Sequence, residues 1–286
     1  MSAFPVPSRA GMLPARSETC IAAEKDMSGQ SVQYEVSDRI VTITIDNPPV
    51  NAVSSPVLKA LNAAFDRAEQ EAQARCIIFT GAGERAFCAG GDLRAESDFG
   101  TPESSRAFRQ LGRQTLNRIE HCKLPVISAL HGYCIGGGTA LGWVCDIRLA
   151  ADNTVFRAAD AYLGMLPSWG MGLTRLPRFV GRNRALDILL LGENFDAQTA
   201  FDMGLVTKVV PRADLMQEAR RMAARIATAS PTAIRATREA VAENLRRGWD
   251  DMVQVEETLC EMMFAHPDAI EGPRAFSEKR EARYGS

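Results

Sequence analysis

Histidine is scarce in this chain of 286 residues, with three in all, and its seven cysteines form no Cys-x-x-Cys pair and no disulfide-like spacing. A zinc or other metal site has little to draw on, so none is expected, and the cysteines read as reduced thiols. Cys88, Cys134 and Cys145 in particular read as small buried hydrophobes. An excess of either charge is also missing: 33 Lys and Arg face 35 Asp and Glu, a formal net charge of −2. That balance argues against nucleic acid as a partner. No uninterrupted apolar run reaches membrane-spanning length; the best, from Leu124 to Cys145, is broken by Gly136–Gly138 and contains His131,. Neither a repeat nor a low-complexity tract is present. A soluble, cytoplasmic protein with no membrane partner is the expectation.

What is present is an ordinary globular composition, 46% hydrophobic and 24% charged, long enough for one large or two modest domains. Residues 1–27 contain Pro and Ser without usable periodicity and read as a disordered extension, with Met27 as the working start. The segments VQYEV (32–36) and RIVTITI (39–45) read as strands joined at Ser37-Asp38,. After the turn DNPPVNA (46–52), Ser55 and Pro56 look like the N-cap and first turn of a helix reaching about Glu71,. Strands are expected at 76–81, 124–132 and 145–153, with an amphipathic helix over 102–122. Strand and helix alternate to about residue 155, the pattern of an α/β layered core with right-handed crossovers. From residue 181 the chain reads as nearly all helix.

Two glycine-rich loops, AFCAGGDL (86–93) and CIGGGTAL (134–141), each follow a short apolar strand. Neither has the dinucleotide or P-loop spacing. Taken with IDNPPVNA (45–52), PVISALHGYCIGGG (125–138), CDIRLAADNTVF (145–156), DAQTAFDMGLVTKVVP (196–211) and EGPRAFSEKR (271–280), they give the chain a resemblance to the crotonase (enoyl-CoA hydratase/isomerase) superfamily. It covers roughly Gln33 to Arg283.

The resemblance implies a crotonase-like α/β spiral of repeated β-β-α units. It places the core and active site in residues 28–195 and a helical trimerisation region in residues 196–286. It also implies an acyl thioester of coenzyme A as substrate, no separate cofactor, a place in fatty acid metabolism, and a homotrimer or dimer of trimers. Chemistry beside a thioester puts negative charge on its carbonyl oxygen, and two preorganised backbone donors lower that barrier by about 3–4 kcal/mol each. By matching position the donors are the N–H groups of Gly91 and Gly137, the latter at a helix N-terminus whose dipole adds to the effect.

Hydratases of this superfamily carry two glutamates. Ala140 stands at the first position and Asp160 at the second. Asp160 keeps the carboxyl on an arm shorter by one methylene, about 1.5 Å, and the neighbouring Leu163, Met165 and Leu166 are expected to raise its pKa. The segment LGMLPSWGMG (163–172) is similar to an LPxWG subgroup of hydratase-like sequences. Ser168 there suits a water or a substrate carboxylate, and Trp169 suits the wall of the acyl pocket. Ala89 and Arg94 match substrate-binding positions, Arg94 near the CoA phosphates. Phe276 and Lys279 match a pair that reaches a neighbouring subunit's CoA. Asp92 reads as a cap and His131 as structural. Enolate chemistry of the hydratase/isomerase type ranks first. Decarboxylation of a malonyl-type thioester, or an acyl-CoA-binding scaffold of weak activity, is the alternative.

Overall fold

The computed structural model describes residues 31–244 and 247–285, so the expected N-terminal extension lies outside the described residues. Strands β1 (Val32–Ser37) and β2 (Ile40–Ile45) form the expected hairpin, with register from Val32↔Ile45 to Ser37↔Ile40. Its turn is Asp38-Arg39, one residue later than expected. Both residues are left-handed, at φ 52° and 67°, and two successive positive φ values give the twist that suits a two-residue hairpin.

From β2 the chain winds as a spiral. Each turn lays one strand in a large sheet and a short one in a small sheet before entering a helix. Strands β3 (Cys76–Gly81), β5 (Val126–Leu130) and β7 (Ile147–Ala151) join the large sheet. Their partners β4 (Ala86–Cys88), β6 (Tyr133–Ile135) and β8 (Val155–Arg157) build the small one, completed by β9 (Phe195–Asp196). The large sheet has the order β1-β2-β3-β5-β7-β10, where β10 is Lys208–Val210, and the small one β4-β6-β8-β9. All pairs are parallel except β1–β2 and β8–β9. The helical steps are α1 (Ser55–Gln70), α2 (Glu96–Phe99), α3 (Pro102–Glu120) and α4 (Gly137–Trp143).

Both faces of the large sheet are covered, which is why CIIFTG is buried along its whole length,. Ile77 and Phe79 pack toward Phe65 of α1 and Phe87, whereas Cys76 and Ile78 join Ile127 and Leu149 beneath Leu215, Ala219 and Ala223. Those last three lie on α7 (Leu215–Ala227), which follows α5 (Leu176–Leu191) and α6 (Ala197–Asp202). The stretch from 196 on is therefore not purely helical. Lys208–Val210 pairs with β7, and α7 closes a face of the core, because the edge of a parallel sheet still needs a partner and a cover,. Helices α8 (Pro231–Asn244), α9 (Trp249–Phe264) and α10 (Asp268–Ser277) end the chain.

Ser55 is the first residue of α1 rather than its cap. Its N–H and hydroxyl both donate to the buried carboxylate of Asp98, at 2.8 and 2.6 Å, so an anion from the next helical turn satisfies this N-terminus. The contact ties the segment after the first glycine loop to the core.

Candidate active site

The NPPVNA turn exists to hold the first glycine loop. Asn51, buried at φ 54°, donates through its side-chain amide to the carbonyls of Ala82 and Ala86 at 2.9 and 2.8 Å. Val50 accepts a hydrogen bond from Ala89 N–H at 3.0 Å. Val53 then pairs in parallel with Gly91: its N–H donates to Gly90 C=O at 2.8 Å and its C=O accepts from Asp92 N–H at 2.9 Å. In such a bridge the bracketed residue turns its own N–H to the opposite side. The N–H of Gly91 therefore faces away from Val53, and Gly91 lines a cavity of about 390 Å³.

The second loop arrives beside the first because β4 and β6 are paired, Ala86 with Tyr133 and Cys88 with Cys134. Gly137 opens α4, where an N–H has no partner within the helix,. Gly90, at φ 88°, makes the close approach possible. A Cβ there would stand 2.6 Å from Ile135 O and 3.3 Å from Gly137 N. Both expected donors, Gly91 and Gly137, line the same cavity, and among the described residues neither N–H meets a protein acceptor.

Ala140, 5% exposed, and Asp160 line this cavity too, and among the described residues Asp160 is its single acid. The carboxyl belongs to a tight turn, Asp160–Leu163, whose first carbonyl accepts Met165 N–H at 3.0 Å. Burial pushes its pKa above the ordinary aspartate value, against a smaller opposing pull from a backbone hydrogen bond,. Met165 and Leu166 share the cavity as expected. Leu163 does not; it is 57% exposed, because the turn carries it outward.

Trp169 forms the wall beside Gly137. Its indole meets Phe108 of α3 edge-on, with ring centroids 5.4 Å apart, and Phe108 meets Phe99 in the same way. The corner that carries Trp169 is anchored by Arg175. Its guanidinium donates to both carboxylate oxygens of Glu120 on α3, at 2.8 and 2.6 Å, and to Gly170 C=O at 2.7 Å. Ser168 lines the cavity beside Trp169.

Other expected positions lie elsewhere. Ala89 spends its N–H on Val50 and does not line the cavity. Arg94 is exposed and pairs with Asp92 at 3.5 Å; Asp92 also accepts Arg94 N–H, a local cap of that turn. Phe276, 87% exposed, and Lys279 sit at the end of α10, away from the cavity. His131 and the thiols of Cys88, Cys134 and Cys145 are buried, and burial pushes the Cys88 thiol up to about 12,. The residues that sequence reasoning missed are on α3: Phe108, Arg109 and Gly112. A glycine inside an otherwise regular amphipathic helix was the one visible sign.

The enoyl-CoA hydratase/isomerase family profile matches residues 35–286. The chain belongs to that family. It is 33% identical over 255 residues to a probable enoyl-CoA hydratase of Bacillus subtilis, covering 89% of this chain and 98% of that one. A carnitinyl-CoA dehydratase of Proteus mirabilis is also 33% identical, with 88% and 97% covered. Among solved structures, an enoyl-CoA hydratase from Bacillus anthracis superposes with a TM-score of 0.85 at 33% identity, covering 89% of this chain and 99% of that one. The β-β-α spiral is thus the fold of this family, and the chain is an enzyme of the hydratase/isomerase type. No described helix is long and apolar enough to cross a membrane.

Proposed function

We propose that the protein moves a proton beside the thioester carbonyl of an unsaturated acyl-CoA, shifting a 3-enoyl thioester to its conjugated 2-enoyl isomer. The observation that carries this reading is the pairing of two N–H groups, Gly91 and Gly137, which meet no acceptor among the described residues, with the Asp160 carboxyl in a single cavity. The Asp160 carboxylate takes the α-proton, and the C–H electron pair moves into the carbonyl to give an enolate. The two N–H groups hold that oxygen. The carboxylic acid then returns the proton to the γ-carbon as the double bond moves into conjugation. One group that alternates between base and acid closes the cycle without a cofactor. Desolvation of Asp160 suits it to the task, since a raised pKa strengthens the base,. Hydration uses an acid and a base together, and Ala140 offers only a methyl group where the second would stand.

The assembly belongs to the same proposal. A trimer or dimer of trimers would cover apolar side chains that the single chain leaves exposed on its last helices, among them Phe264 (72%), Ile270 (71%) and Phe276. It would also bring Phe276 and Lys279 toward a neighbour's CoA. Sedimentation of the active protein as a monomer would remove that role.

The reaction is tested by incubating the protein in parallel with a 3-enoyl-CoA, crotonyl-CoA and methylmalonyl-CoA and following product mass. The expected result is fastest conversion of the 3-enoyl-CoA with unchanged mass. Faster gain of water by crotonyl-CoA would replace isomerisation with hydration, and loss of carbon dioxide from methylmalonyl-CoA would establish a decarboxylase.

A further inference from the structure

We infer that the acyl pocket accepts thioesters whose acyl chain ends in its own carboxylate, and that Arg109 binds that carboxylate. The inference rests on the acyl-CoA reading above and names the substrate class within it.

Ser105, Phe108, Arg109 and Gly112 follow one another at the i, i+3, i+4, i+7 spacing and so form one stripe of α3,. The first three line the cavity, and the fourth abuts Trp169, which itself abuts Gly137. Arg109 thus stands on the wall of the acyl pocket, about 4.5 Å along the helix axis from the glycine that seats the indole. It is half-buried, and among the described residues its guanidinium has no carboxylate or carbonyl partner. Two other arginines at α3, Arg118 and Arg175, are already engaged. Arg118 is held by Asp66, Glu69 and the Phe65 carbonyl, and Arg175 by Glu120 and Gly170.

The charge balance of the cavity points the same way. Two guanidiniums, Arg106 and Arg109, line it against the single carboxyl of Asp160. With two cations against one acid, the pocket has positive charge to spare. A plain hydrocarbon chain would not use it, since Phe108, Met165 and Trp169 already offer an apolar wall, and an unpaired guanidinium beside such a chain loses hydration for nothing. A carboxylate uses it well, because the guanidinium fork matches two carboxylate oxygens. The hydroxyl of Ser105, one turn earlier, supplies a further donor. CoA phosphates are the other anions the ligand carries. The position of Arg109 beside the Trp169–Gly137 contact, where the thioester oxygen is bound in our reading, favours the acyl end.

Two saturated thioesters, butyryl-CoA and glutaryl-CoA, test this by calorimetric titration of the intact protein, without dependence on turnover. The expected result is glutaryl-CoA binding about tenfold or more tighter than butyryl-CoA, as befits hydrogen bonds to a charged group. That preference should shrink toward unity in Arg109→Met and survive in part in Arg109→Lys. Equal affinities in the unaltered protein overturn the inference and leave the acyl-CoA reading standing. An unchanged ratio in Arg109→Met also overturns it; if both ligands weaken together, the arginine holds CoA phosphates instead. Binding of neither ligand removes the acyl-CoA reading and this inference with it.

Discussion

Trp169 lies against Gly137 so closely that a Cβ on the glycine would stand 2.8 Å from the indole ring. The same indole lies against Gly112 of α3, where a Cβ would stand 2.3 Å away. Two glycines from separate turns of the spiral thus make the slot for one aromatic side chain, and that slot adjoins an N–H assigned to the thioester oxygen. Gly112→Ala should displace the indole and strain α3, lowering stability by about 1–3 kcal/mol as overpacking does. Urea unfolding reads the first effect, and kcat/KM of the folded variant should fall as well. A variant that loses stability with unaltered kinetics would reduce Trp169 to filler.

Gly90 keeps the two donor loops in register. A side chain there meets the Ile135 carbonyl at 2.6 Å and imposes φ 88° on a residue ill suited to it,. Gly90→Ala should spread the loops and lower kcat by about 10²–10³-fold, the loss expected when one donor of an oxyanion site goes missing. Steady-state kinetics with the preferred thioester is the measurement.

Asp160 should mark the pH profile and the stability in opposite senses. As the base it must be ionised, so the acid limb of kcat/KM should lie above the ordinary aspartate range, in keeping with the raised pKa,. In the same way, the folded state holds the Asp160 proton more tightly than the unfolded chain does. Stability therefore falls as pH rises from the unfolded pKa, about 3.9, through the folded one. Asp160→Asn should raise Tm at neutral pH, and the gain should vanish at a pH below the unfolded value. Thermal melts across pH check this; an Asn variant less stable at neutral pH would contradict it.

Much of this arrangement was legible beforehand. The long strands and α1 announced themselves by apolar runs and turn residues, and the glycine loops by their spacing. The small sheet did not, because AFC, YCI and VFR are three residues each, too short to show alternation. Nor did Arg109, since an arginine on an amphipathic helix reads as an ordinary solvated face until the LPSW segment is folded over it. Gly112 carries no local signal of its role, which only the indole it seats explains.

His131 sets an acid limit on the fold. It is 1% exposed, and burial pushes its pKa down to about 4. Between the unfolded value of about 6.5 and that folded value, the unfolded chain binds the extra proton, so stability drops as pH falls. By pH 5 the loss from this residue should reach about 2 kcal/mol. Denaturant unfolding at neutral pH and at pH 5 should show this loss, and it should be smaller in His131→Phe.

The central claim is that Asp160 carries the proton while Gly91 and Gly137 hold the thioester oxygen. It is tested most directly by the rate at which the Asp160→Asn protein converts a 3-enoyl-CoA to the conjugated isomer. The unaltered protein should form a product of unchanged mass, and the variant should form it at least about 10²-fold more slowly, with CoA-ester binding retained. Equal rates in the two proteins would contradict it.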